Sequence, residues 1–417
     1  MIRVFRPPLS GEGGAEKLIS GSLSPTAELC AVGMTAQGNS DPARIFVFET
    51  RSGRIVQVLR TLPEAPFDLE FSEDGTLLAG GFAGTGGLRV WQVEGWKELV
   101  RDGNYEDSCN SVVWTGASRL ISGSADGVLR AYDPRSQVKA ARKVDGANVI
   151  VPLQSAVCSS KQRIASLAIT PDGGGVMVAF QGGNALELRS LQDFAKVREY
   201  SSDVVSNGNI SSVAVSADLV LAGGRWQEQQ VYQFQSWWLT GAEPSKSFGG
   251  PQNTILDISS LGEGRFCFAS ADPAWGIIDA SAASSTERFF LLGSPCIADY
   301  RNNKPGLLIS RDGYQVSFAF ESWGKRPATF SIQKRELNLL KQGETLNHAL
   351  VGPRYEGVPL SGWMAEANPV DFRRFLDQGI PEGAITRGDK PLLKISDQSV
   401  VLDKGERSTC AAISDDR

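Results

Sequence analysis

A short hairpin, SGSADGVLRAYD from Ser122 to Asp133, recurs along this chain, and that recurrence constrains the fold more than any other feature. The apolar run that ends in small residues, LISGS at Leu120, has counterparts in LCAVG at Leu29, LLAGG at Leu77, VMVAF at Val176 and VLAGG at Val220. Weaker copies follow in CFASA at Cys267 and LISRD at Leu308, so the spacings are 48, 43, 56, 44, 47 and 41 residues. A period of roughly 40–45 residues with four strands per unit is the signature of a propeller blade. The longest spacing is assigned to an insertion, DGANVIVPLQSAVCSSKQ from Asp145 to Gln162, ahead of the fourth unit.

The flanks agree with this reading. Alternating apolar strands open the units: FDLEFSEDG from Phe67, NSVVWTG from Asn110, SLAITPDG from Ser166 and SSVAVSAD from Ser211. Their Asp-Gly pieces are hairpin turns, where glycine accepts positive φ. A third strand follows in RIFVFET, LRVWQV, LRAYDP, LELRSL and QVYQFQS, and its period of two buries one face against a neighbouring unit. The 45 glycines and 20 prolines fit many tight turns between short strands. The expected architecture is therefore all-β: one seven-bladed β-propeller over residues 1–340. MIRVFRP at the start and ATFSIQKREL at Ala328 are rival candidates for the strand that closes it, with a shared closure favoured.

These units resemble the WD-repeat β-propellers, most closely in SGSADGVLRAYD and in GGLRVWQ from Gly86 to Gln92. The resemblance implies that Asp126 is the turn aspartate, bonded to amides of its own hairpin. It also implies that Trp91 and Tyr132 fill the aromatic slot between neighbouring blades. The copies depart from the family because no Gly-His dipeptide precedes a blade. The family's buried histidine network is thereby excluded, and apolar packing between blades is expected to hold the sheets instead.

From about Lys341 the pattern changes, and residues 341–417 read as an extended C-terminal segment. NPVDFRRFLDQG predicts one short helix near 369–378, with Asn368 as N-cap, Pro369 at the first position and an apolar stripe of Phe372, Phe375 and Leu376. That helix is expected to pack on the propeller rim, with a partner-docking helix as the alternative. TCAAISDD, Thr409 to Asp416, reads like the first strand of a further blade, which suggests that another domain follows. With FSIQKREL and GPRYEGVPLSGW, this tail resembles the linker after the first propeller of bacterial multi-propeller proteins that carry a caspase-like protease domain. The resemblance implies a partner of that kind, a caspase-like protease or its substrate. No His/Cys protease motif surrounds His348 or Cys410.

A single histidine, His348, removes most hydrolytic triads and transition-metal sites from consideration. The six cysteines are scattered without a Cys-x-x-Cys pair, which leaves buried free thiols as the expectation. The net charge of −5, with no basic run longer than a pair, argues against a nucleic-acid partner. The start has no apolar leader and no run is long enough to cross a bilayer, so a cytoplasmic chain without membrane or cofactor is expected. The acidic pairs Glu106–Asp107 and Asp415–Asp416 read as solvated turns. Gly-rich AGTGGLRVW leads into a strand rather than a helix, and reads as a hairpin turn instead of a phosphate loop.

Binding is the better-supported activity: a non-catalytic scaffold or sensor for another protein. Large side chains stand in several loops: Tyr105 in GNYEDS, Arg225 and Trp226 in GGRWQEQQ, and Asp272 and Trp275 in SADPAWG. Trp237 and Trp238 in QSWWLTG form a second candidate patch, on the opposite face or rim. The alternative is that each aromatic folds back over its own blade. The rival function is a propeller enzyme of the lyase or glycoside hydrolase type. It would require three or more carboxylates and lysines converging on an apolar, tapered channel.

Overall fold

The first strand in six of the repeats carries a one-residue irregularity at an equivalent place, and a small residue faces it from the second strand. Ser20, Asp68, Ser111, Ser166, Ser212 and Asp257 follow the irregularity, opposite Gly33, Gly81, Gly123, Ala179, Gly223 and Ala269. The close approach of the next sheet explains the small residues. A Cβ on Gly81 would lie 2.7 Å from Cys109 Sγ and 2.8 Å from the Cys109 carbonyl oxygen; one on Gly123 would lie 2.6 Å from Ile164. Side chains at these positions would force neighbouring sheets apart.

The computed structural model describes residues 2–4, 17–35, 43–50, 52, 54–159, 162–183, 185–201, 210–228, 231–241, 246–249, 254–270, 274–281, 289–291, 308–309, 315–320, 326–331, 393–395 and 398–400. Among them the strands sort into seven antiparallel-built sheets of four or more strands and one two-stranded hairpin. The first sheet runs Lys17–Leu23, Leu29–Thr35, Arg44–Glu49 and Ile55–Leu59 in chain order. The third consists of Cys109–Thr115, Arg119–Ser124, Val128–Tyr132 and Gln154–Val157. The fourth, fifth and sixth begin at Ile164–Ile169, Ile210–Ser216 and Ile255–Gly262. Another sheet combines both ends of the repeat region, with Ile2–Val4 paired antiparallel to Arg326–Ser331.

The second sheet departs from four strands. Pro66–Phe71, Leu77–Phe82, Leu88–Gln92 and Glu98–Asp102 are extended by a hairpin, Arg142–Val144 and Ala147–Val149, whose second strand runs parallel to Glu98–Asp102. This corrects the expected insertion. Residues 145–162 include Gln154–Val157, the fourth strand of the third sheet, so the added element is the hairpin that ends at Val149. AGTGG forms a three-residue 3-10 turn, Gly84–Gly86, between two strands.

The core lies between sheets. Trp91 packs with Phe71, Phe82 and Leu69 of its own sheet against Ile45 and Val47 of the first. Tyr132 lies with Trp114 of the third sheet against Leu77, Val90 and Val100 of the second. Both aromatics are buried, each in an apolar layer between two sheets. The helix expected near 369–378 and the strand expected at Thr409 to Asp416 lie outside the described residues.

Candidate functional site

The first strands of six successive sheets surround a cavity of about 440 Å³. Four carboxylates stand in its wall: Asp68, Glu70 and Glu73 from the second sheet, and Asp257 from the sixth. Burial first, and then the charge of Asp68, raise Glu70 well above the usual carboxylate range. Among the described residues no lysine lines the cavity, and no three Asp, Glu, His or Cys side chains gather closely enough to hold a metal ion.

Much of the polar chemistry in this wall is already committed. The Phe71 N–H donates to Ser22 Oγ (3.0 Å), Val112 N–H to Asp68 Oδ2 (2.8 Å) and Leu167 N–H to Ser111 Oγ (3.2 Å). Val213 N–H donates to Ser166 Oγ (3.4 Å) and Ile258 N–H to Ser212 Oγ (2.9 Å). Each bond joins the first strand of one sheet to that of the next. These serines and Asp68 are thus structural ties between adjacent sheets, and their oxygens are not presented as unoccupied acceptors.

A second polar constellation lies where the second and third sheets meet. Tyr132 Oη donates to Asp102 Oδ2 at 2.8 Å, and Tyr105 Oη lies 3.0 Å from Tyr132 Oη and 2.7 Å from Ser122 Oγ. The Arg130 guanidinium is 4.2 Å from the Tyr105 ring centre and donates to Asp126 at 2.8 Å. Asp126 also accepts the Val128 N–H (2.9 Å) and the Ser124 hydroxyl (2.5 Å), which closes the hairpin turn. Burial pushes the Asp126 carboxyl up, but the bonds from Arg130 and Ser124 outweigh it, so the group lies below its ordinary range. Burial raises both tyrosine hydroxyls well above theirs. The expectation of purely apolar packing between blades needs correcting: tyrosine, aspartate and serine build a buried polar link where a histidine is absent.

The residues proposed as exposed anchors are distributed differently from that expectation. Tyr105 is buried at 4%, because its hydroxyl finds partners inside and its ring lies against Arg130. Arg225 and Trp226 belong to the strand Leu219–Glu228 rather than a loop, and strand alternation leaves Arg225 exposed while Trp226 is buried. Trp237 and Trp238 end the strand Val231–Trp238. Trp237 is buried and donates to the Ser201 carbonyl, and Trp238 is half-buried against the core of the fifth and sixth sheets. Trp275 lies in the strand Ala274–Asp279, with its side chain outside the description; Asp272 lies outside the described residues. Of these positions, Arg225 alone is described as exposed.

Sequence reasoning missed the cavity carboxylates. The signal was present in FDLEFSED, where alternation places Asp68 and Glu70 on one face, but Asp257 joins them from a distant repeat.

The chain matches no protein-family model and no curated protein sequence. Its fold is similar to solved structures. A chain in the crystal structure of the mitotic checkpoint complex aligns with TM-score 0.57 at 15% identity, covering 80% of this chain and 95% of that one. The structure of U3-55K aligns with TM-score 0.59 at 13% identity, covering 79% and 98%. The RRP9 WD40 repeats align with TM-score 0.60 at 13% identity, covering 80% and 97%. The chain has a WD40-repeat-like β-propeller fold.

Proposed function

We propose that this chain is a non-catalytic protein-interaction scaffold, built as a seven-bladed propeller closed by Ile2–Val4. The observation that carries the functional reading is the use of the cavity's polar groups as ties: Ser22, Asp68, Ser111, Ser166 and Ser212 hold neighbouring sheets together. A rigid body whose inner polar groups are consumed by its own assembly leaves its outer surface for recognition. Closure draws support from the Ile2–Val4 pairing with Arg326–Ser331 and from the proximity of Leu308–Ile309 to the first sheet. Buried free thiols at Cys30, Cys109, Cys158 and Cys267 suit a cytoplasmic location. The partner is another protein rather than a nucleic acid or membrane. The tail motifs favour a caspase-like protease or its substrate within a bacterial system, and Arg225 is a candidate contact.

Quantitative cross-linking with the intact chain as bait in its native cells tests this reading. A stoichiometric protein partner is expected, retained by Glu70→Gln and Asp257→Asn; its absence overturns the scaffold. The four cavity carboxylates favour the enzyme of lyase or glycoside hydrolase type as a second reading. Turnover of an oligosaccharide panel that is lost in Glu70→Gln would establish it.

A further inference from the structure

The hairpin added to the second sheet gives the molecule a basic, partly apolar rim. Its first strand, Arg142–Val144, terminates the six-stranded sheet, and all three of its residues are exposed. The chain then bonds Ile150 N–H to the Arg101 carbonyl and Leu153 N–H to the Ala131 carbonyl, passing from the second sheet to the third. Along this bridge, Val151 is 66% and Leu153 is 65% exposed; Val157, on the outer strand of the third sheet, is 53% exposed. Val144 on the terminal strand is exposed too.

Charge is concentrated in the same segment. Residues 134–163 carry Arg135, Lys139, Arg142, Lys143, Lys161 and Arg163 against Asp145 alone, in a chain of net charge −5. Arg135 and Arg163 are paired with Asp74 and Asp107. Lys139, Arg142 and Lys143 have no ion-pair partner among the described residues.

We propose that this rim docks an extended, acidic and apolar segment of a partner protein, which adds as a strand along Arg142–Val144. Backbone groups on the open edge would supply register. Strand alternation sets Arg142 and Val144 on one face and Lys143 on the other, so each cation would meet a carboxylate on its own face, and Val144, Val151 and Leu153 would meet the segment's apolar side chains. Basic residues on an edge strand also serve as guards against unwanted pairing. A guard gains nothing from three exposed aliphatic side chains nearby, whereas a peptide site does. The same aliphatics distinguish a protein segment from a nucleic acid, which binds through cations alone or with aromatic stacking. The inference rests on the scaffold reading and adds a surface and a class of partner to it.

The intact chain would be titrated with a fluorescein-labelled peptide repeating Glu-Glu-Val-Val, which presents both residue types on both faces of a strand, with the same peptide N-methylated at alternate amides, and with a labelled single-stranded oligonucleotide. The expected result is saturable binding of the first peptide, weakened about tenfold or more by Arg142→Glu/Lys143→Glu and by Leu153→Ser, with the N-methylated form failing to bind. Equal binding by wild type and both variants, or no binding of the peptide, overturns the proposal, as does a preference for the oligonucleotide. Both variants change exposed side chains, and circular dichroism melts would verify their folding. Cross-linking capture with the same variants separates the two readings. Partners retained by Arg142→Glu/Lys143→Glu refute the rim but leave the scaffold standing, whereas capture of no partner by wild type refutes the scaffold.

Discussion

The guanidinium of Arg130 lies 4.2 Å from the centre of the Tyr105 ring, and the same group donates to Asp126 at 2.8 Å. One cation thus joins the loop before the third sheet to the turn inside that sheet. Replacing Arg130 by methionine keeps its apolar stem but leaves Asp126 without its counter-charge. The expected loss is about 2–4 kcal/mol of folding stability, because one partner of a largely buried pair is removed. A double-mutant cycle with Asp126→Asn, measured by urea unfolding, should return a coupling of about 1–3 kcal/mol. Additive losses would refute the link.

Glu70 gives a pH prediction. Its carboxyl is raised in the folded protein, first by burial and then by the charge of Asp68, so the native state binds the proton more tightly than the unfolded chain does. The stabilising effect of that proton is complete below the unfolded carboxylate range and is lost as pH rises through the raised folded value. Glu70→Gln should therefore melt higher than wild type at pH 8, and the gap should shrink towards pH 4. Melting curves across that range would check it; a gap that widens on acidification would contradict the sign.

Gly81 tests the approach of neighbouring sheets. A valine there would place Cβ 2.8 Å from the Cys109 carbonyl oxygen, a backbone atom that cannot rotate away. Gly81→Val should cost roughly 1–3 kcal/mol or more by overpacking. Gly95→Ala, where a Cβ would meet nothing within 4 Å, controls for substituting glycine alone; its positive φ adds a modest strain of its own. Thermal unfolding of both variants should separate the effects.

The buried thiols should resist alkylation. Burial pushes Cys109 and Cys158 up to about 12, so little thiolate exists at pH 8. Iodoacetamide labelling mapped by peptide mass spectrometry should leave both unmodified in the native protein. Both should react once guanidinium unfolds it. Labelling of Cys109 before unfolding would contradict its packing.

The repeated unit was legible because its causes are local. The Asp-Gly turns, the alternation of apolar residues and the small-residue ends of second strands each fix geometry within a few positions, as Asp126 and its hairpin illustrate. The anchors were not legible in the same way. Tyr105 and Trp226 look like exposed loop residues in the sequence, yet both are buried, and the Tyr105 hydroxyl has partners in the interior. Whether an aromatic in such a segment turns inward depends on a neighbouring sheet that local sequence does not describe.

By itself the sequence determined that short alternating strands would form repeated four-stranded units, because turn chemistry and period-two burial act over a few residues. Its resemblance to WD-repeat propellers implied in addition that Asp126 would close its own turn. Only the tertiary structure decided that Asp68, Glu70, Glu73 and Asp257 share one cavity, that Tyr105 meets Arg130, and that residues 142–149 extend the second sheet. The cavity and the extended sheet bring together strands from different units, and the Tyr105–Arg130 contact brings a loop onto the sheet that follows it. The energy that selects them comes from surfaces that exist only once the sheets have packed.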